Sequence, residues 1–381
     1  MKLVMRVAML GWEYPPFKAG GLATHCFGLT RSLADLGVVV DFFMPKTKSV
    51  AVSDRKNLRI VEVGECEVFP YDRPDVKEIG GGFFDAVYFY NELVVDCVVR
   101  NAKRFGGYDL VHCHDWLTMR AGVVLKEVLG VPLVVTVHST EFDRCGWLFP
   151  NDWFVDLERC GMLAADCVIA VSHFTKRVLV ERYGIPEGGV VVVHNAVYPV
   201  GSGVKCGIVL FLGRLTVQKG AEFFLRAAQK VSFFEPDVRF VVAGSGDLLP
   251  SLISEAISLG IGDRVFFTGR LSDEEVRHIY GVSSVYVMPS VSEPFGITAL
   301  EAASAGTPVV VSKSAGFSEV FSSCLRVDFW DVDEMANKIV SLLRYDVLHR
   351  SLSVDGLREI CLFTWDRVAG RTLDVYRSVL S

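Results

Sequence analysis

The sequence predicts an α/β protein of two domains, each built on a parallel sheet with helices on both faces. Three observations support this prediction. Short apolar runs rich in Val, Ile and Phe alternate with longer amphipathic segments along the whole chain. The chain has 381 residues, which suits two such domains better than a single core. A stretch containing Pro, Gly and Ser, residues 195–205, separates two series of strand-like runs.

The elements follow in order along the chain. The predicted strands are Lys2–Leu10, Val38–Met44, Leu110–His114, Pro132–Val137, Cys167–Val171 and Val190–Val193, and then Ile208–Leu212, Val238–Ala243, Val265–Thr268, Ser284–Met288 and Val309–Val311. Helices lie between them. In one of these, Ala23–Leu36, apolar residues recur at helical spacing, and Ser272–Glu275 forms a capping box that opens another. We assign residues 1–197 to the first domain and residues 198–362 to the second.

The amino-acid composition of the chain limits the classes of molecule that it can bind. Hydrophobic residues make up 51% of the chain, charged residues make up 22%, and the formal net charge is −6. An acidic protein is a poor partner for nucleic acid or for an anionic membrane, since both attract basic surfaces. The longest apolar runs have strand length, well short of the roughly 20 residues that a membrane-spanning helix needs. Met1–Leu10 lacks a signal-peptide cleavage site and reads as a strand. We therefore expect a cytoplasmic protein with no transmembrane segment.

Cysteine and histidine patterns give no strong metal signal. The ten cysteines include no C-x-x-C pair, which predicts buried free thiols in a reducing compartment. We expect only one of His112 and His114 to face a ligand. Asp331 and Asp333 resemble a metal-binding D-x-D, but their position predicts a helix N-cap instead. The expectation is that the protein has no metal site.

Two glycine-containing loops follow predicted strands, where α/β proteins bind ligands. The segment Lys18–Leu22, KAGGL, combines a cation with paired glycines that let backbone N–H groups approach an anion. An ordinary strand-to-helix turn explains it equally well. The segment Gly213–Gly220 contains Arg214 and Lys219, which could converge on a diphosphate or remain a solvated charge pair.

The most specific loop is Ser292–Ala302, SEPFGITALEA, because it puts two carboxylates beside the start of a small-residue helix. Glu293 lies on the loop and Glu301 lies about one turn into the helix. A carboxylate can accept hydrogen bonds from two sugar or ribose hydroxyls, although Glu301 could merely favour the helix dipole. Gly244–Gly246 also follows a strand, but it lacks the third glycine of a dinucleotide fingerprint and is a weak signal.

Taken in order, these motifs resemble the retaining GT-B glycosyltransferases, the family that includes glycogen and starch synthases. The resemblance runs nearly the full length, through Trp12–Pro16, Lys18–Leu22, His114–Trp116, Thr136–His138, Gly213–Gly220, Glu293–Glu301 and Phe363–Tyr376. It implies two Rossmann-like doubly wound domains that face a central cleft. It also implies a C-terminal helix, 363–381, that crosses back to the N-terminal domain. The sequence departs from the family at Ala196, where Gly usually follows the Asn, and at Val38, where His often follows the Gly.

The resemblance implies roles for residues of the second domain. Arg214 and Lys219 would bind the donor diphosphate and stabilise its negative charge as it leaves. Glu293 would contact the donor sugar, and Glu301 would hold the ribose hydroxyls. Backbone N–H groups would come from Gly296, Ile297 and Thr298.

In the first domain, the resemblance places His138 beside the sugar and Asp115 on the acceptor side. Gly20 and Gly21 would close over the phosphates together with Lys18. The two domains would close on the donor about hinges near residues 195–205 and 362–365.

The implied activity is transfer of glucose, with retention of configuration, from UDP- or ADP-glucose to a sugar acceptor. The favoured acceptor is the non-reducing end of an α-1,4-glucan, a polysaccharide partner. The transfer is expected to need no cofactor and no metal. Trehalose- or sucrose-type glucosyltransferases and mannosyltransferases remain alternatives. Outside transferases, a nucleotide-sugar epimerase and a non-catalytic sugar-nucleotide-binding protein also remain.

Overall fold

The computed structural model describes residues 4–16, 20–46, 53–64 and 82–381. The chain forms two compact units. The first comprises Met1–Thr140, Asn151–Asn195 and Trp365–Ser381, and the second comprises Glu141–Pro150 and Ala196–Thr364. Among the site candidates, Lys18 lies outside the described residues.

Thirteen strands are present in the described part of the chain. They are β1 (Arg6–Leu10), β2 (Val39–Pro45), β3 (Leu58–Val63), β4 (Leu110–His114), β5 (Leu133–Val137), β6 (Cys167–Ala170), β7 (Val190–Val192), β8 (Ile208–Leu212), β9 (Arg239–Ala243), β10 (Val265–Gly269), β11 (Val285–Met288), β12 (Val309–Ser312) and β13 (Leu325–Val327).

The helices of the described residues alternate with these strands. They are α1 (Gly21–Asp35), α2 (Phe83–Phe105), α3 (Trp116–Leu129), α4 (Glu141–Arg144), α5 (Asp152–Ala164), α6 (His173–Glu181), α7 (Ala221–Phe234), α8 (Leu249–Ser258), α9 (Asp273–Val282), α10 (Ile297–Ser304), α11 (Phe317–Val320), α12 (Val332–Arg344), α13 (Asp346–Ile360) and α14 (Trp365–Leu380). Short 3₁₀ turns occur at Glu187–Gly189 and Val217–Lys219.

The first unit contains one parallel sheet in the order β3-β2-β1-β4-β5-β6-β7. The strand order reverses between β1 and β4, which pair with each other along Val7–Leu10. In open α/β sheets, ligands bind outside the carboxyl ends of the strands at such a reversal. The loops that follow β1, β4 and β5 therefore define the functional end of this unit.

The last helix, α14, belongs to the first unit and packs against α1. Gly28 of α1 makes this contact possible, because a Cβ atom there would lie 2.1 Å from the indole ring of Trp365. Trp365, Ala369 and Tyr376 are buried on the inner face of α14. The expected return of the C-terminal helix to the N-terminal domain is confirmed.

The second unit has a parallel sheet in the order β10-β9-β8-β11-β12-β13, which reverses between β8 and β11. Its core combines strand and helix residues such as Val209, Phe224, Phe240, Val310 and Ile339. The loops after β8 and β11 border the reversal, so the two loops that carry the predicted donor residues lie next to each other.

The predicted fold class, two doubly wound parallel α/β domains, is confirmed. Each predicted strand has a counterpart, and β3 and β13 were not predicted. The first counterpart is Arg6–Leu10, and residues 2 and 3 of that predicted strand lie outside the described residues. The capping box at Ser272 and Glu275 is confirmed. Asp331 is an N-cap, as expected, because its carboxylate accepts from the Glu334 backbone N–H at 3.0 Å.

The cysteines in the described ranges are free thiols. The expectation that they are buried is wrong for Cys160, Cys206 and Cys361, which are exposed because they lie on outer faces or connecting segments.

Within residues 4–16, 20–46, 53–64 and 82–381, no helix has the length and apolar character needed to cross a bilayer.

Candidate functional site

In the second unit, the loop after β8 holds the two predicted phosphate-binding cations. Arg214 directs one guanidinium nitrogen, Nη2, to Gln218 Oε1 at 3.4 Å. Lys219 ends the 3₁₀ turn, and its Nζ lies 2.6 Å from Glu293 Oε2 on the loop after β11. The side chains of Lys219 and Glu293 keep 20% and 11% of their surface exposed, so the pair stays accessible from solvent. The structure thus brings these two predicted residues into direct contact.

Glycines fix the shape of this loop. Gly220 has φ +66°, and a Cβ atom there would lie 2.2 Å from the carbonyl oxygen of Pro289. Gly244 has φ +136°, and its Cβ would lie 1.9 Å from the carbonyl oxygen of Gly213. The Leu215 N–H donates to the Ser245 carbonyl at 2.8 Å. The Gly244–Gly246 segment therefore packs closely against the loop that holds Arg214 and Lys219. This close packing explains its glycines without a dinucleotide-binding role.

Glu293 is held on its loop by several contacts. Its backbone N–H donates to the Ser314 carbonyl at 3.1 Å, and its own carbonyl accepts from the Gly316 N–H at 2.9 Å. The Ser290 hydroxyl donates to Glu293 Oε2 at 3.3 Å. These contacts fix the position of the carboxylate.

The helix α10 begins immediately after Gly296, which has φ +108° at the N-cap. Ile297 and Thr298 fall in the first turn, where backbone N–H groups have no intrahelical acceptor. The Tyr286 hydroxyl donates to Thr298 Oγ1 at 2.9 Å. These residues occupy the positions that an anion bound at this helix start would contact.

Two buried tyrosines support this site, and sequence reasoning missed both. The Tyr280 hydroxyl donates to Glu301 Oε2 at 3.1 Å. Burial raises the pKa of Tyr280, and the neighbouring Glu301 carboxylate raises it further. Burial likewise raises the pKa of Tyr286. Both phenols therefore remain protonated donors. They come from α9 and β11, and no local motif marks them.

In the first unit, Asp115 follows β4 with a φ of +57°, which is uncommon for a residue with a side chain. Its Oδ1 accepts from the backbone N–H of His138 at 2.6 Å and from that of Ser139 at 3.4 Å. Asp115 thus holds the loop after β5 and fixes the position of His138. Unusual backbone geometry of this kind concentrates at functional sites.

Three histidines converge at the same end of the sheet, with His25 and His114 buried and His138 partly exposed. His114 Nδ1 and His138 Nε2 share a hydrogen bond of 3.0 Å. His25 of α1 lies against His138, with ring centroids 4.4 Å apart, and its Nδ1 lies 2.6 Å from Asn195 Oδ1. Sequence reasoning missed His25 and Asn195, which are 170 positions apart and meet only in the folded unit.

The expectation that only one of His112 and His114 would face this region was wrong. Residues two positions apart on a strand point to the same face, and the two rings lie 4.4 Å apart between centroids. His112 is anchored from both sides, by the Tyr376 hydroxyl at 2.6 Å and by Thr136 Oγ1 at 2.7 Å.

These histidines are neutral at physiological pH. Burial lowers the pKa of His25 to about 4 and that of His112 to about 3. Burial, followed by the neighbouring imidazoles, lowers the pKa of His114 and His138 well below the usual value. A neutral imidazole offers one donor and one acceptor, which suits a hydroxyl group better than a phosphate.

Gly20 and Gly21 open α1, with Gly20 at the N-cap. The Gly20 N–H donates to Glu13 Oε2 at 3.2 Å, so a buried carboxylate occupies the position predicted for a donor phosphate. The phosphate contact of these two glycines stays a prediction.

The chain matches two glycosyltransferase family models that together span most of its length. Residues 19–199 match the model described as Glycosyltransferase Family 4. Residues 200–353 match the model described as Glycosyl transferases group 1.

Curated relatives align over nearly the whole chain. An uncharacterised glycosyltransferase of Methanocaldococcus jannaschii is 32% identical over 98% of this chain and 98% of its own length. A D-inositol 3-phosphate glycosyltransferase of a Nocardioides species is 28% identical over 98% of this chain and 90% of its own. A glycogen synthase of Mycobacterium tuberculosis is 27% identical over 83% of this chain and 80% of its own.

Among solved structures, sucrose-phosphate synthase from Thermosynechococcus elongatus superposes with a TM-score of 0.81 at 22% identity. The superposition covers 98% of this chain and 99% of the chain in that structure. At this level of identity the likeness concerns the fold.

Proposed function

Because this chain belongs to the GT-B glycosyltransferase family, which includes glycogen synthase-like members, we propose that it transfers glucose from UDP- or ADP-glucose to a sugar acceptor with retention of anomeric configuration. The observation that carries the proposal is the contact between Lys219 and Glu293, from the neighbouring loops after β8 and β11. A cation that can bind the phosphate and a carboxylate that can bind the sugar hydroxyls are thus in direct contact.

The proposed chemistry is electrostatic. As the bond between sugar and phosphate breaks, positive charge develops at the anomeric carbon and negative charge develops on the departing diphosphate. Lys219, Arg214 and the start of α10 would stabilise that negative charge, and preorganised groups of this kind usually supply the largest share of catalysis. The contact with Glu293 would orient Lys219 for this role. With two cations present, we propose that transfer needs no metal ion.

Other residues of the second unit would hold the rest of the donor. Glu301 is proposed to bind the ribose hydroxyls, with its Oε2 oriented by the Tyr280 hydroxyl. The backbone N–H groups of Gly296, Ile297 and Thr298 would contact the phosphates at the start of α10.

In the first unit, His138 is proposed to hydrogen-bond a hydroxyl of the transferred sugar as a neutral imidazole. Asp115 would act on the acceptor side by holding the His138 loop through its backbone amides. Lys18, Gly20 and Gly21 are proposed to contact the donor phosphates, which would require the Glu13 carboxylate to release the Gly20 N–H.

For the acceptor, we propose the non-reducing end of an α-1,4-glucan, which the similarity to a glycogen synthase supports. A small phosphorylated polyol is the second candidate. It is favoured by a specific observation, because similarity to a D-inositol 3-phosphate glycosyltransferase extends over 98% of this chain, compared with 83% for the glycogen synthase.

A donor and acceptor matrix tests the proposal. UDP-, ADP- and GDP-sugars are each incubated with glycogen, with D-inositol 3-phosphate or without acceptor, and the released nucleoside diphosphate is measured. We expect release with UDP- or ADP-glucose that increases with glycogen, and an α-linked product by NMR. No release above that of Lys219→Ala with any combination would overturn the proposal. Release stimulated only by D-inositol 3-phosphate would select the second acceptor.

The proposal that transfer needs no metal ion is tested separately with EDTA. Activity measured after treatment with EDTA should match that of the untreated protein. Activity that EDTA abolishes and Mn²⁺ or Mg²⁺ restores would contradict it.

A further inference from the structure

Three imidazoles of the first unit converge closely enough to bind one ion. His25, His114 and His138 can each offer a ring nitrogen such that the three nitrogens lie within 4.8 Å of one another. We propose that these three residues form a binding site for a divalent transition-metal ion such as Zn²⁺, and that the bound ion inhibits the transferase. Only the inhibition rests on the proposed function.

His25 is oriented as a metal ligand. Asn195 Oδ1 can only accept a hydrogen bond, so His25 Nδ1 carries the proton and Nε2 carries the lone pair. This Nε2 is buried, with no hydrogen-bond partner among the described residues. Histidines that bind metals usually give their other N–H to a carbonyl or carboxylate oxygen in this way, which fixes the tautomer and the ring orientation.

His114 and His138 supply the other two ligands. Their Nδ1 and Nε2 atoms point at each other across 3.0 Å with one proton between them. When His114 carries its own proton on Nε2, the shared proton belongs to His138, and it moves to His138 Nδ1 as the ion takes its place between the two rings. Each ring then binds the ion through a lone pair and stays neutral, so the site neither gains nor loses a proton.

A buried carboxylate lies beside the cluster, because Asp115 accepts from the His138 backbone N–H. Zn²⁺ binds imidazole nitrogens at about 2.0–2.1 Å, which puts tetrahedral ligand atoms about 3.3 Å apart. The rings therefore need to move by about an ångström. Three protein ligands leave a fourth position open, as in catalytic zinc sites.

This site goes against the sequence-based expectation of no metal, which was reached without His25. It also predicts its own effect on activity. When His138 is fixed to an ion, it can no longer exchange hydrogen bonds with a sugar hydroxyl. The transferase would thus work without metal and be inhibited by a transition metal.

A Co²⁺ titration of the purified, EDTA-treated full chain tests the binding. We expect one equivalent to bind and give the visible absorption bands of Co²⁺ coordinated by histidine. His25→Gln and His114→Gln should abolish these bands, whereas His278→Gln, an exposed histidine of the second unit, should leave them unchanged. Asn195→Ala, which keeps all three ligands, should weaken Co²⁺ binding by about 10- to 100-fold. Circular dichroism checks that each variant is folded.

The wild-type protein failing to bind Co²⁺ would overturn the site. So would folded His25→Gln binding with wild-type affinity. If neither His25→Gln nor His114→Gln folds, the Asn195→Ala titration decides, and unchanged affinity overturns the site.

Inhibition is measured separately, as the fraction of each variant's own activity that remains with added Zn²⁺. We expect loss of activity in the wild type and in His278→Gln, and resistance in His25→Gln. Binding of Co²⁺ without inhibition by Zn²⁺ would overturn the inhibitory role alone. A protein without any transferase activity would overturn the proposed function, while the Co²⁺ titration would still decide the site.

Discussion

The two units use the same sheet architecture but place different chemistry at the functional end. In the first unit, neutral imidazoles of residues such as His114 and His138 are linked to each other by hydrogen bonds. In the second unit, Lys219 and Glu293 form an ion pair that remains partly exposed. Burial disfavours a charged group that has no opposite charge beside it, so the imidazoles are neutral, whereas opposite charges that are paired stabilise each other. Under the proposed function, the second unit would supply charge stabilisation and the first would supply directional hydrogen bonds.

The largest expected effect comes from removing the charges of the second unit. Lys219→Ala and Arg214→Ala should each lower kcat by on the order of 10²-fold or more, because negative charge on the diphosphate grows in the transition state. Affinity for the free nucleoside should change far less. Steady-state kinetics with the active donor and binding of the nucleoside measure the two quantities.

Lys230→Ala is the matched control, since Lys230 lies in the same unit and is paired with Asp333 at the surface. Its kcat should stay close to that of the wild type. Near-normal turnover in Lys219→Ala or Arg214→Ala would show that the loop after β8 does not bind the diphosphate.

The second prediction concerns the neutral cluster of the first unit and its response to acid. His25 and His112 have pKa values of about 4 and about 3 in the folded protein, below the ordinary value of 6.5. The unfolded chain therefore takes up these protons first as the pH falls. Their contribution to stability is fully present above about pH 6.5 and is lost between there and about pH 4 to 3. Each histidine adds up to about 1.4 kcal/mol per pH unit to this loss.

Urea unfolding at pH 7.5 and pH 5 measures the effect. His112→Gln should unfold more easily at pH 7.5 but lose less stability between the two pH values than the wild type. His278→Gln should change neither quantity. An equal loss in His112→Gln and wild type would mean that His112 does not stay neutral in the folded unit.

The same contrast explains what the sequence could predict. Charged residues of the second unit, such as Lys219 and Glu293, stand beside Gly and Pro directly after apolar runs, so their location at strand ends followed from local pattern. The strands themselves were predictable because buried parallel strands are continuous apolar runs. The edge strand β3, LRIVEV, is not a continuous apolar run, because it contains the charged residues Arg59 and Glu62, and it was missed.

The histidine cluster depends on contacts that no local pattern records. His25 occupies a buried position of an amphipathic helix, where a core residue is the ordinary interpretation. Its partner Asn195 is distant in sequence and lies in the stretch predicted to be a linker. His112 and His114 were separated in the prediction although residues two apart share a strand face. Burial and tertiary proximity define this site, and both arise only on folding.

The smallest effect should come from a neutral group that supports a charge in the second unit. The Tyr280 hydroxyl is fully buried and donates to Glu301 Oε2 at 3.1 Å, so it orients a carboxylate without altering its charge. Tyr280→Phe removes this hydrogen bond and keeps the ring, which packs edge-on against Tyr286. If Glu301 binds the donor ribose, the KM for the nucleotide sugar should rise up to about tenfold, which is ~1.4 kcal/mol, while kcat stays near the wild-type value. Tyr345→Phe, at an exposed tyrosine, is the control and should have no effect. A fall in kcat at unchanged KM would instead mean that Glu301 stabilises the transition state. The division between ground-state binding by Glu301 and charge stabilisation by Lys219 would then be wrong.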